Sequence, residues 1–287
     1  MASVDQLSAD EFFFVQFTFR LVVMFAIGDG YRGAYAVQHL FVDYMDVPFY
    51  VAILYLASVS YGVKWMESRE PFRFTIFLGV WNLALAVFSL RGATVLVPPL
   101  IETWRAKGTK PVLCHLGWWY DGEVGMWVML FALSKIPELF DTLFLILQKK
   151  PVIFLHWYHH VTVMLYCWLA YPNNATGATF AAMNYVVHTV MYGYYFCTAI
   201  PWARNIARSL SKWITALQLV QMVAGLGLVC ATRSFMNDQS SDACPDVGAA
   251  GNRAALMMYA SYFVLFAKFF SDRYRKTNSL KDGAKQK

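Results

Sequence analysis

An all-α integral membrane protein is the fold class this sequence predicts, on three observations. Hydrophobic residues make up 58% of the 287 and charged residues only 15%, where soluble domains run at about 45–50% and roughly 25%. Mean hydropathy is +0.42. The apolar residues gather into seven runs, roughly 48–66, 73–97, 124–147, 152–171, 177–197, 211–232 and 254–271. Each approaches the ~20 residues that a helix needs to cross a ~30 Å hydrocarbon core.

Taken in order, the chain opens on MASVDQLSADEFFF, whose acidic residues are the wrong lead for a cleaved signal peptide. The run 12–27 is short and carries Arg20, so it reads as an interfacial helix or partial span. Residues 1–47 form an N-terminal lumenal or interfacial segment. Residues 48–272 are a seven-helix membrane domain, and 273–287 a polar, basic tail expected to lack order. The net charge of +6 would suggest a nucleic-acid partner in a soluble protein. Here the basic residues sit in short connections, where they set topology, and no nucleic acid is expected. One set of connections plus the C-terminal tail holds fourteen Lys and Arg, among them Lys64, Arg73, Lys149, Lys150, Arg204, Arg208 and Lys212. The opposite set holds five: Arg105, Lys107, Lys110, Arg233 and Arg253. The bias places the C-terminus in the cytosol and the N-terminus in a lumen. Cys167, Cys197 and Cys230 fall in or beside spans and read as small buried hydrophobes. Cys114 and Cys244 share the oxidising face, which suggests a disulfide.

Intramembrane polar groups carry the functional signal. The third run, MLFALSKIPELFDTLFLILQKK, places Lys135, Glu138 and Thr142 on one helical face with Asp141 at its edge, and Pro137 interrupts it. A Lys135–Glu138 ion pair would leave Asp141 without a partner. The tight QKKP turn makes runs three and four an antiparallel hairpin. Asp141 and His159 then lie at a shared depth, roughly 12–14 Å below the surface. In FLHWYHH, His156, His159 and His160 cluster at i, i+3 and i+4. The fifth run aligns Asn184, His188, Tyr192 and Tyr195, and the sixth aligns Thr215, Gln218 and Gln221 at a similar depth. Taken singly, a histidine, a tyrosine or a glutamine here reads as a core residue or interhelical glue. Four helices contributing at one level indicate a buried polar site.

Three chemistries compete for such a site. A di-iron oxidoreductase uses an HxxHH box, but its ligand set exceeds the six histidines of this chain, two of which (His39 and His115) lie outside the cluster. A transporter also places polar groups at the midplane. The third class is an acyl-transfer enzyme using histidine as nucleophile or base.

The blocks KIPELFDTLF, LQKK, FLHWYHH, NYVVHTVMYGYY and TALQLVQ, in this order over roughly residues 45–272, resemble those of the fatty acid elongase family, the 3-ketoacyl-CoA synthases of the endoplasmic reticulum. ESREPF resembles the family's first cytosolic loop. The resemblance implies seven transmembrane helices, six forming a ring around an acyl tunnel closed at the lumenal end. It implies condensation of acyl-CoA with malonyl-CoA to 3-ketoacyl-CoA, CoA and CO2, with no metal and no redox cofactor. By the same analogy His159 takes the acyl group, and Asn184 and His188 stabilise or orient the enolate. Lys135, Glu138 and Asp141 position the reacting groups, with His156 and His160 beside them. Lys149, Lys150, Arg204 and Arg208 sit where CoA phosphates arrive, and Thr142, Tyr192, Tyr195, Gln218 and Gln221 are further substrate contacts. Expected partners are membrane lipids and the reductase, dehydratase and enoyl reductase of the elongation cycle; self-association into a homo-oligomer stays open. FLHWYHH with MNYVVHTVMY is closest to the branch preferring saturated and monounsaturated chains; polyunsaturated-chain members often carry Gln where Pro151 stands. The tail GAKQK departs from the family's dilysine retrieval pattern.

Overall fold

The computed structural model describes residues 41–172, 176–238 and 243–285, with side chains to 274. The short run 12–27 lies outside them. Within these residues the chain is helical: α1 Val47–Glu67, α2 Thr75–Lys107, α3 Thr109–Cys114, α4 Gly122–Ser134, α5 Phe140–Leu147, α6 Phe154–Ala170, α7 Thr176–Ala199, α8 Arg204–Ser209, α9 Ser211–Met236 and α10 Ala249–Lys285.

Two boundaries differ from expectation. α2 runs eight residues past the Pro98–Pro99 pair and stops at Gly108, whose φ of 80° lies in the left-handed region that glycine readily adopts. The prolines forfeit two helix hydrogen bonds, but α3 and α4 pack along α2 and hold it. The basic tail is not without order: α10 continues through it to Lys285. No proline interrupts residues 273–285, and Lys, Arg and Leu are good helix formers.

The break in the third run falls where Pro137 sits. Pro137 donates no backbone N–H, and the ladder tightens into a 3-10 turn over Pro137–Leu139 between α4 and α5. Neighbouring bonds are of the three-residue kind, Ile136 N–H to Leu133 O at 3.2 Å and Leu139 N–H to Ile136 O at 3.1 Å. This irregular turn carries Lys135 and Glu138, both buried.

α2 lies along α7, α7 along α9, α9 along α10, α10 against α6, α6 against α4, and α4 returns to α2; α1 packs on α5 and α6. The largest core joins α2, α4, α6 and α7 through Trp119, Phe131, Trp168 and Tyr185. At one end α3 and the following loop are tied down by the Cys114–Cys244 disulfide, by Leu116 N–H to Asp246 Oδ2 at 2.9 Å, and by Thr176 Oγ1 to Leu113 O at 2.9 Å. At the other end, the tight turn after α5 sits beside the loop after α1, with Phe72 N–H donating to Leu147 O.

Four helices, α1, α2, α9 and the Ala249–Tyr274 part of α10, are long and apolar enough to cross a membrane. They leave large apolar side chains outside, such as Ile76, Leu54 and Val220, as contact with lipid requires. The chain is thus a multi-pass membrane protein. The other three expected runs house the polar groups instead: the third is split, α6 has 17 residues, and α7 carries Asn184, His188 and four tyrosines.

Candidate active site

Two spaces flank the polar band. The first is a narrow apolar cavity of about 60 Å³, bounded by α4, α6, α7, α9 and α10. His159, Asn184 and Gln221 line it together with Tyr166, Tyr259 and Tyr262, and Trp119 and Tyr171 line it toward the disulfide end. The second is a cleft of about 930 Å³ at the opposite end. Arg73, Lys150, Arg204, Arg208 and Arg273 line it, and His156 and Asp141 open onto it. His156 and His159 are one helical turn apart, so a single turn of α6 presents one imidazole to each space.

Three hydrogen-bonded groups hold the band together. Lys135 Nζ donates to Glu138 Oε1 at 2.7 Å, where Ser134 Oγ also donates at 3.0 Å. Lys135 also reaches Asn184 Oδ1 at 3.4 Å. Because that oxygen faces the ammonium, Asn184 has its amide N–H groups left for the cavity. In the second group Trp81 Nε1 donates to Asp141 Oδ1 at 2.7 Å and Tyr192 OH to Oδ2 at 2.8 Å. The Tyr192 ring in turn meets His188 edge-on at 5.3 Å. In the third, Thr142 Oγ1 lies 2.7 Å from Tyr55 OH and 2.9 Å from His156 Nε2.

Several expected placements change. The three histidines do not converge on one point. His156 turns to Thr142 and the cleft, His159 to the cavity and the Tyr262 ring at 4.8 Å, and His160 is buried with its ring 4.5 Å from His156. Asp141 does not lack partners, since Trp81 and Tyr192 both donate to its carboxylate. Lys149 stays out of the cleft lining: it sits at the left-handed position of the turn, φ 54°, and its ammonium donates to Glu67 O at the end of α1, 3.1 Å away. Thr142 is fully buried and Tyr192 is 2% exposed with its hydroxyl on Asp141, so both act as supports. Gln218 bridges α9 to α7 through Met191 Sδ at 3.2 Å and lines neither space. Lys150, Arg204, Arg208 and Tyr195 do face the cleft, and Gln221 the cavity.

The sequence reading missed Trp81, Tyr55 and Tyr262, and it counted Arg73 and Arg273 only toward topology. Trp81–Asn82 in the middle of an apolar span, and a tyrosine at the centre of SYF in the last one, were the available signals. Tyr262 matters because its hydroxyl bridges Thr162 Oγ1 at 2.6 Å and the His159 carbonyl at 3.3 Å while its ring flanks the His159 imidazole.

The cavity wall is sensitive to small changes. A Cβ on Gly225 would overlap the ring of Tyr259, which lines the cavity. Gly225→Ala is expected to cost about 1–3 kcal/mol through overpacking, read as a lowered unfolding temperature in detergent; an unchanged temperature would contradict this packing.

A wide cleft lined by basic side chains and a narrow apolar cavity thus lie on either side of one turn of α6, with His156 on the first and His159 on the second. The chain belongs to the GNS1/SUR4 family, whose model matches residues 40–282. It is 39% identical over 282 residues to fatty acid elongase 3 of Trypanosoma brucei brucei, covering 89% of this chain and 91% of that one. It is 42% identical over 241 residues to a very long chain fatty acid elongase 4 of Trypanosoma cruzi, covering 83% of each. Very long chain fatty acid elongase 6 of Drosophila melanogaster is 40% identical over 228 residues, 79% of this chain and 71% of that one.

Proposed function

We propose that this chain is the condensing enzyme of fatty acid elongation, joining acyl-CoA and malonyl-CoA to give 3-ketoacyl-CoA, CoA and CO2. The observation that carries the reading is the turn of α6 that puts His159 in the apolar cavity and His156 on the cationic cleft. An acyl-CoA spans such a junction with its chain in the cavity, its phosphates among Lys150, Arg204, Arg208, Arg73 and Arg273, and its thioester between the two histidines. At about 60 Å³ the cavity is smaller than the ~150 Å³ void that takes up benzene, so chain entry requires its side chains to move apart.

In the first step a nitrogen of neutral His159 attacks the thioester carbonyl. The C–S bond breaks, and the imidazole proton leaves with the thiolate as CoA-SH. His156 presents a ring N–H to the departing sulfur. In the second step malonyl-CoA loses CO2 and its enolate carbon attacks the acyl carbon. The C–N bond breaks and His159 recovers a proton from solvent. Asn184 N–H groups stabilise the enolate oxygen, and His188, about one turn further along α7, orients that part of the site. Lys135 and Glu138 hold Asn184, and Asp141 holds Tyr192 against His188. These bond changes call for no redox cofactor or metal.

The helix neighbours support a ring of six membrane-crossing units, α2, α7, α9, α10, α6 and α4–α5, around the acyl cavity, with α1 outside as the seventh. We place the protein in the endoplasmic reticulum membrane with the disulfide end lumenal and the cleft cytosolic, where the CoA substrates and the reductase, dehydratase and enoyl reductase of the cycle reside. Protease should remove a C-terminal tag from sealed microsomes; a protected tag would reverse the orientation.

Purified protein given radiolabelled malonyl-CoA and a panel of acyl-CoAs tests the activity. Labelled 3-ketoacyl-CoA is expected, with saturated and monounsaturated chains preferred over polyunsaturated ones. Absence of labelled product with every chain would sink the condensing reading, and a preference for polyunsaturated chains would sink the branch assignment.

A further inference from the structure

Helix α1 packs on the outside of α5 and α6, yet its Tyr55 reaches the reacting groups. Tyr55 OH lies 2.7 Å from Thr142 Oγ1, which lies 2.9 Å from His156 Nε2. Thr142 is 0% exposed and Tyr55 7%. These contacts admit two directions of hydrogen bonding. If His156 donates from Nε2, Thr142 either donates to Tyr55 and strands the phenolic proton, or accepts from both and strands its own; in neither case does the stranded proton have an acceptor among the described residues. A buried donor left so is unfavourable by the full cost of desolvating it. If Tyr55 donates to Thr142 and Thr142 donates to His156, every hydrogen is placed. Nε2 then holds the lone pair and the ring proton is on Nδ1.

We infer that Tyr55 is a positioning residue that acts through Thr142 to hold His156 as its Nδ1–H tautomer, so that the cleft meets an N–H donor and not a lone pair. The inference rests on the acyl transfer to His159 proposed above. The thiolate of CoA develops on the cleft side of that step, where a donor stabilises it and a lone pair repels it. The relay differs from the other groups that touch the α6 histidines. Tyr262 flanks His159 by its ring and bonds its backbone, and His160 meets the His156 ring edge-on without a hydrogen bond to it. Among the described residues Thr142 is the side chain that anchors a His156 nitrogen, and Tyr55 the one that bonds Thr142 from the other side.

The test uses the full chain and the release of CoA from acyl-CoA without malonyl-CoA. Tyr55→Phe keeps the ring and removes the hydroxyl. It is expected to slow CoA release about tenfold, the scale of one hydrogen bond, with the KM for acyl-CoA unchanged. Thr142→Val should slow release at least as much, and adding Tyr55→Phe to it should cause no further loss, because the path is already cut. Thr142→Ser keeps the hydroxyl and should stay within about twofold of wild type. Wild-type rates in Tyr55→Phe, or the same loss in both backgrounds, would reduce Tyr55 to packing and overturn the inference. Nitrogen-15 spectra of histidine-labelled protein give a readout that does not depend on turnover or on Thr142→Val folding. A protonated Nδ1 and bare Nε2 are expected for His156, and a protonated Nε2 would overturn the inference. If wild type itself releases no CoA from acyl-CoA alone, the acyl-histidine reading fails, while the nitrogen-15 result still decides the tautomer.

Discussion

Replacing His159 with Ala is expected to abolish elongation and also the release of CoA from acyl-CoA alone, each by at least about 10³-fold, as for loss of a covalent nucleophile. His159 is the histidine that lines the apolar cavity. Its Nδ1 is buried with no hydrogen-bond partner among the described residues while its ring packs at a tilt on Tyr262, so the imidazole is aimed by packing. The apolar walls around it exclude the water that would hydrolyse an acyl-imidazole. His188 differs: it is buried against Tyr192 and lines neither space. His188→Ala should therefore slow condensation more than the first CoA release. Intact-protein mass after incubation with acyl-CoA and no malonyl-CoA is the deciding measurement. An acyl adduct is expected on wild type and on His188→Ala but not on His159→Ala. An adduct that persists in His159→Ala places the nucleophile elsewhere, and wild type that releases no CoA until malonyl-CoA arrives requires a ternary mechanism.

Much of this site is legible along the chain because membrane spans make polar residues conspicuous. Lys135, Glu138, Asp141, the FLHWYHH histidines, Asn184, His188 and Gln221 stand out from apolar neighbours, and helical spacing with the tight QKKP turn brings them to one depth. Direction is harder to read. Asp141 and Thr142 are adjacent on α5 and so point about 100° apart, and they bond to different partners, Trp81 and Tyr192 on one side, Tyr55 and His156 on the other. Tyr55 and Trp81 lie on spans with no charged neighbour, and their reach across 87 and 60 residues has no local periodicity to betray it. Lys149 was misplaced for a backbone reason: the left-handed turn residue aims its side chain at the end of α1 while Lys150 faces the cleft. The fold was clearest where apolarity was continuous, in α1, α2 and α9, and least clear at α10, whose polar half continues the helix that its apolar half begins.

Breaking the Lys135–Glu138 pair is expected to have the largest effect on stability. Both side chains are almost fully buried, 2% and 5% exposed, and 2.7 Å apart. The ammonium also lies 4.2 Å from the centre of the Phe131 ring and touches Asn184. Lys135→Met leaves the Glu138 carboxylate with Ser134 as its remaining side-chain partner, and Glu138→Leu leaves an ammonium that only the Asn184 oxygen and a ring face. Removing one member of a buried pair costs about 3–5 kcal/mol, whereas replacing both with apolar groups of similar volume is often near neutral. Each single variant should therefore unfold at a markedly lower temperature in detergent, and the double variant should recover most of the loss. Activity should not recover with it. Without Lys135 the Asn184 oxygen has no ammonium to fix the amide, and the N–H groups that face the cavity lose their orientation toward the enolate. The double variant is thus expected to be folded, to form the acyl adduct on His159, and to condense poorly. Additive losses of stability in the double variant would deny that the pair is a buried unit, and a double variant that condenses at the wild-type rate would remove Lys135 from the support of Asn184.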